Sequence, residues 1–187
     1  MKKLLCVIGP SGSGKSTYVN YAIEQLGYGE IVSTTTRSPR TGEINGKDYH
    51  FVSKEDFDKL EMIQRDEYAG NCYGTAQKDL DEAFRNSNYA FMVVTYEGAI
   101  DFKRIFKEKN LDIEVVTIFV YTPIEVLKER MINRGDDLEK IKERIDNIQK
   151  RGEYDNKDKT DLVFEANIQA SLEDVCNDFL GFIKNIK

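Results

Sequence analysis

The chain has 187 residues, a formal charge of −6 and an isoelectric point near 5.0. That length fits a single domain able to bury roughly 70% of its unfolded surface. The acidic balance argues against nucleic acid or a membrane surface as partner, because those anionic polymers attract basic faces. Cys6, Cys72 and Cys176 are odd in number and widely spaced, which fits free thiols in a reducing compartment better than disulfides or a metal site. The apolar start before Gly9 is too short for a signal peptide, and no later apolar run nears the roughly 20 residues that span a bilayer. The expectation is a soluble, cytoplasmic protein. His50 is the single histidine, has no nucleophile or metal-ligand cluster around it, and reads as a solvated or packed side chain.

The first predicted elements are a buried strand through Leu4, Leu5, Cys6, Val7 and Ile8, a glycine turn, and a helix from Ser16 to Leu26 that Gly27 and Gly29 stop. Between strand and helix lies Gly9-Pro10-Ser11-Gly12-Ser13-Gly14-Lys15-Ser16-Thr17, which has the spacing of a P-loop. Its backbone N–H groups and the helix N-terminus form a cradle for the phosphates of a nucleoside triphosphate. Gly9, Gly12 and Gly14 permit backbone angles and close approaches that a side chain forbids. Lys15 is expected on the transferred phosphate. The Ser16 hydroxyl is the expected ligand of Mg²⁺, a hard ion that keeps several waters and needs few protein oxygens.

Ile31 to Thr36 is rich in β-branched residues and predicts a strand leading into a long loop. Arg37 and Arg40 flank Pro39 there, an arrangement suited to a dianion because each guanidinium can grip phosphate with two parallel hydrogen bonds. A solvated basic loop has the same composition. Ser53 to Leu60 predicts a short helix capped by Ser53, with Asp56 at the capping-box position, and Thr75 to Asn86 another with Thr75 as cap. Tyr89 to Thr95 is a continuous apolar run, as a buried parallel strand requires. Ala99 to Lys107 predicts a helix, Ile113 to Val120 a strand, and Thr122-Pro123 the start of the next helix. On the following helical stretch Arg130 and Arg134 are four apart and share a face, with Arg144 on the helix after it. Salt-bridged surface explains these arginines equally well, since Glu and Lys crowd the same segment. Thr160 to Asn167 predicts the last strand, and Ser171 to Ile186 a closing amphipathic helix. Such alternation indicates a parallel α/β sheet with helices on both faces, a P-loop NTPase fold.

GPSGSGKST, TTTRSPRTGEINGKDYHFVS and GNCYGT together resemble guanylate kinase, and acceptable pairing runs over nearly the whole chain. The resemblance implies transfer of a phosphoryl group from ATP to GMP or dGMP. It implies that Arg37, Arg40, Tyr49 and Tyr73 hold the acceptor phosphate, that Ser33 and Thr75 meet the guanine edge, and that Arg130, Arg134 and Arg144 form a lid closing over ATP. It further implies one domain with a core at 1–30, 89–122 and 152–187, an acceptor-binding subdomain at about 31–88 and a lid at about 123–151.

Several positions depart from the family pattern. The base-reading carboxylate falls on Gln64, with Glu67 three residues later as the other candidate. Two aspartates at the end of the strand that follows are replaced by Val93 and Thr95, with Glu97 just beyond. An Asn-Asp pair near adenine is replaced by Ala166 and Asn167, so Asn167 is the expected adenine neighbour. A carboxamide offers one donor and one acceptor where a carboxylate offers acceptors only. Kinases of the same fold acting on AMP, dAMP or a ribose bisphosphate therefore stay open, as does a non-catalytic phosphopeptide-binding module. Monomer and homodimer are both compatible with the sequence.

Overall fold

The computed structural model describes residues 1–39, 42–68, 70–133 and 135–186. Its centre is β1 (Lys2–Ile8), buried from its second residue onward. β7 (Tyr89–Val93) and β8 (Ile113–Tyr121) pair with it, both parallel. β2 (Gly29–Glu30) and β9 (Leu162–Glu165) complete a parallel sheet of order β2-β7-β1-β8-β9. Alternate residues of β1 feed two separate cores. Leu5 and Val7 pack with α1 (Lys15–Leu26) and α7 (Leu172–Lys184), whereas Leu4, Cys6 and Ile8 pack with α4 (Tyr96–Glu108) and the smaller sheet's supports. A strand covered on both faces has no polar side, which is why β1, β7 and β8 read as near-continuous apolar runs, with Thr117 of β8 buried and hydrogen-bonded to Asp161.

The second sheet has order β4-β3-β6-β5, from β3 (Thr34–Thr35), β4 (His50–Phe51), β5 (Met62–Tyr68) and β6 (Asn71–Ala76). β5 and β6 form an antiparallel hairpin whose turn includes Gly70 at φ 72°. α2 (Lys54–Lys59) is capped by Ser53, whose Oγ accepts the Asp56 N–H at 3.0 Å. α3 (Gln77–Ala83) starts later and ends sooner than its periodicity predicts. Ala76 stands at its N-cap, and Thr75 is a strand residue, because pairing of β6 with β5 claims the backbone up to Ala76.

α5 (Ile124–Asn133) and α6 (Leu138–Lys150) form a hairpin with its own core of Leu127, Met131, Ile141 and Ile148. A 3-10 segment, Glu153–Lys159, returns the chain to β9. No helix among the described residues is long and apolar enough to cross a membrane.

Phe179 of α7 is fully buried and touches the rings of Tyr18, Phe91, Phe164 and Phe182. Phe179→Ala is expected to lower unfolding free energy by about 3–5 kcal/mol. Urea unfolding of the two proteins measures this, and a loss under about 1 kcal/mol would mean that α7 is not a keystone of this core.

Candidate active site

The chain leaves β1 at Gly9, where φ is 148° and a Cβ would lie 2.7 Å from the Val120 carbonyl oxygen. Only glycine lets the loop turn this close to the end of β8. At Gly14, φ is 96°, and a Cβ would fall 2.5 Å from Cζ of Tyr18, whose ring anchors α1 in the core. No side chain caps the N-terminus of α1. Its first-turn amides and positive dipole end therefore suit an anion.

Lys15 is half-buried and lies back over its own loop, with Nζ donating to Gly9 O at 2.7 Å and Pro10 O at 2.8 Å. Burial pushes its ammonium down to about 8, against the partial opposition of the Glu153 carboxylate. Arg130 of α5 reaches the loop from the other side, Nη1 lying 3.4 Å from Ser13 O and 3.5 Å from Gly12 O. Thr122 Oγ1 donates to Ser13 O at 3.3 Å. The Ser13 hydroxyl is buried with no hydrogen-bond partner. A cavity of about 540 Å³ opens here, lined by Ser11, Gly12, Gly14, Lys15, Ser16, Thr17 and Arg130 and, on its apolar side, by Met131, Ala170, Leu172 and Val175.

Other expected donor-side residues are placed differently. Arg144 is paired through Nη1 with Asp136 Oδ2 at 2.8 Å. Arg134 lies outside the described residues. Asn167 is exposed in the loop after β9, and its Oδ1 accepts the Gln169 N–H at 3.1 Å in a local turn.

On the small sheet, Arg37 is held before any ligand arrives. Its Nη1 and Nη2 meet the two Glu43 oxygens at 3.0 and 2.9 Å, and Nη1 also donates to Ser38 O at 2.8 Å. Its guanidinium lies over Tyr49 and Phe51, 5.4 and 5.6 Å from the ring centroids. The Glu43 hydrogen bonds hold the Arg37 pKa above its ordinary value, with a smaller contribution from Tyr73. Tyr49 and Tyr73 meet edge to face at 6.1 Å. Arg40 lies outside the described residues.

The hairpin register separates the two candidate base readers. Gln64 pairs with Thr75 and Asp66 with Tyr73, whereas Glu67 pairs with Cys72. Because side chains alternate along a strand, Gln64, Asp66, Tyr73 and Thr75 share one face and Glu67 occupies the other. The β3–β6 register continued by one residue brings Ser33 to the other side of Thr75. The Thr75 hydroxyl is buried and without a partner. Thr95 caps α4, its Oγ1 accepting the Gly98 N–H at 3.1 Å, while Val93 ends β7 half-exposed. Glu97 is exposed in the first turn of α4.

Sequence reasoning missed Glu43, Glu153 and Thr122. The TGE triplet after the arginines could have marked Glu43; Glu153 comes from a distant segment, and no spacing rule links it to Lys15. Among the described residues no three His, Cys, Asp or Glu side chains converge on a metal site. A Mg²⁺ carried by triphosphate oxygens and waters needs only a hydroxyl from the protein, and Ser16 lies exposed beside Lys15.

A glycine-walled anion cradle on a parallel sheet, reached by Arg130 of α5, together with a second sheet that carries an Arg–Tyr cluster, defines a P-loop phosphotransferase. The family model described as guanylate kinase matches residues 1–185, and the chain belongs to the guanylate kinase family. It is similar to the guanylate kinase of Fusobacterium nucleatum, at 35% identity over 97% of this chain and 96% of the relative. It also resembles that of Mycoplasma mobile, at 33% identity over 86% and 84% respectively. The crystal structure of guanylate kinase from Anaplasma phagocytophilum superposes with a TM-score of 0.69 at 26% identity, covering 98% of this chain and 85% of that one. The protein is accordingly an enzyme, a nucleoside monophosphate kinase.

Burial lowers Lys15 to about 8, and a triphosphate seated beside its ammonium would raise it again by opposite charge. Binding of ATP is therefore expected to take up about a tenth of a proton at this site at pH 7 and close to one at pH 9. Calorimetric titrations in buffers of different ionisation enthalpy measure the uptake. Uptake that stays flat between these pH values would mean that Lys15 remains charged in the free enzyme.

Proposed function

We propose that the chain transfers the γ-phosphoryl group of ATP to GMP or dGMP, releasing ADP and the diphosphate. The observation that carries this reading is the pairing of two anion sites, the P-loop with Lys15 and the Arg37, Tyr49 and Tyr73 cluster on the small sheet. An oxygen of the acceptor phosphate attacks the γ-phosphorus as the bridging bond to ADP breaks. The nucleophile is already anionic, so no protein base is needed, and catalysis rests on positioning and charge stabilisation.

In this reading Gly9, Ser11, Gly12, Ser13, Gly14 and Thr17 cradle the triphosphate, and Lys15 leaves its loop carbonyls for the transferred group. Arg130, Arg134 and Arg144 neutralise charge spread over its oxygens, Arg144 exchanging Asp136 for phosphate as the α5–α6 lid closes. Arg37 and Arg40, with Tyr49 and Tyr73, orient the acceptor, while Ser33, Gln64 and Thr75 meet its base. Mg²⁺ held by Ser16 supplies further neutralisation of the β- and γ-phosphates when bound. The loop from Asn167 to Ala170 flanks the adenine. Residues 31–88 and 123–151 act as acceptor-binding and lid units on the remaining core, in a cytoplasmic monomer or homodimer.

Lys15→Ala is expected to lower kcat by at least about a hundredfold while leaving the circular dichroism spectrum unchanged. Arg37→Ala is expected to raise the KM for GMP far more than that for ATP. Near-normal turnover by Lys15→Ala would sink the phosphotransferase assignment.

A further inference from the structure

The face of the small sheet that carries the phosphate cluster also carries a row of side chains for the base. Thr75 lies two residues beyond Tyr73 along β6, hence on the same face and about 7 Å away. That is the scale of the step from a nucleotide's phosphate to its base. Gln64 flanks Thr75 on one side, and Ser33, by the continued register, on the other. All three are neutral. The Thr75 hydroxyl is buried and unpartnered, so it needs a hydrogen bond that an incoming base edge can provide.

The carboxylates nearest this row are turned away from it. Asp79, whose Oδ2 is buried without a partner, has its Oδ1 3.8 Å from Nε2 of His50. His50 is level with Thr34 and Gly74, on the face opposite Thr75. Glu97 is exposed in the first turn of α4. Val93 is apolar, and the Thr95 oxygen is engaged in capping α4. Glu67 projects from the opposite face. Asp66 shares the face but pairs with Tyr73 at the phosphate end, and its Oδ1 accepts the Glu67 N–H at 2.8 Å.

We infer that this acceptor site reads the O6 and N1–H edge of a purine without reading a 2-amine, so that a hypoxanthine nucleoside monophosphate, IMP or dIMP, is a second acceptor alongside GMP. The inference rests on the guanylate kinase reading and deepens it. With GMP bound, the Gln64 carboxamide donates to O6 and accepts from N1–H, using the one donor–acceptor pair it has. Hypoxanthine presents the same edge. The 2-amine of guanine adds N–H donors, and the row meets them only with hydroxyls, each of which can turn to donate or to accept and so is not tied to the amine. A site rejects an analogue lacking a polar group only when it has built a partner for that group. The bonds that form and break are those of the GMP reaction, with ATP and IMP giving ADP and IDP.

The test is kcat/KM for GMP and for IMP with the full chain at fixed ATP and Mg²⁺, read as ADP release. The wild-type preference for GMP is expected to be within about tenfold, and Gln64→Glu, which adds an acceptor in place of a donor, is expected to raise it by roughly ten- to a hundredfold. Asp66→Asn is expected to leave the ratio unchanged. Efficient GMP turnover with a wild-type preference above about tenfold overturns the inference while leaving the guanylate kinase reading intact. A ratio that drops in Asp66→Asn also overturns it, by making Asp66 the partner of the amine. Failure of the wild-type enzyme to use GMP removes the guanylate kinase reading, and this inference with it.

Discussion

The backbone of Gly9 passes so close to the end of β8 that no side chain fits between them, and the donor half of the enzyme depends on that approach. It sets where the loop turns, and so where α1 begins and where its free amides point. It also brings the chain that continues from β8 against the loop, so that Thr122 and Arg130 both reach Ser13 O. The parallel pairing of β1 with β8 is thus more than a scaffold. Through one close contact it aligns the glycine loop with the chain that enters α5.

The acceptor half solves a different problem. The molecule is acidic overall, and the two sites we propose for anions rest on locally placed cations. Lys15 rests on carbonyls of its own loop and Arg37 on Glu43, so each is ordered and partly satisfied beforehand. Side chains positioned in advance lose less entropy when the ligand arrives. The cost is competition, since each ligand must displace or share an existing partner.

Much of this was legible in the residues because the physics is local. Glycines at positive φ between an apolar run and a helix mark the P-loop, and strands covered on both faces announce themselves as β1, β7 and β8 do. The β5–β6 hairpin was hidden, because Gln64, Arg65, Asp66 and Glu67 carry no apolar alternation for a pattern to catch. Thr75 imitates a helix cap, a threonine just ahead of a helical pattern, and only strand pairing reveals otherwise. Counting along the chain left Gln64 and Glu67 as rivals for one place; the alternation of a strand assigns them to opposite faces. The Glu153 carboxylate near Lys15 depends on how the segment after α6 folds back, a long-range relation that spacing does not encode.

The two sheets are hydrogen-bonded as separate ladders, and that division has a consequence for descent. Gln64 and Thr75 fall on one side of it, while the glycine loop, its lysine and Thr95 fall on the other. A lineage can therefore drift in what it recognises without first surrendering how it reacts. The glycine loop stands on the five-stranded ladder and Gln64 on the four-stranded one, so a change in either leaves the hydrogen bonds of the other in place.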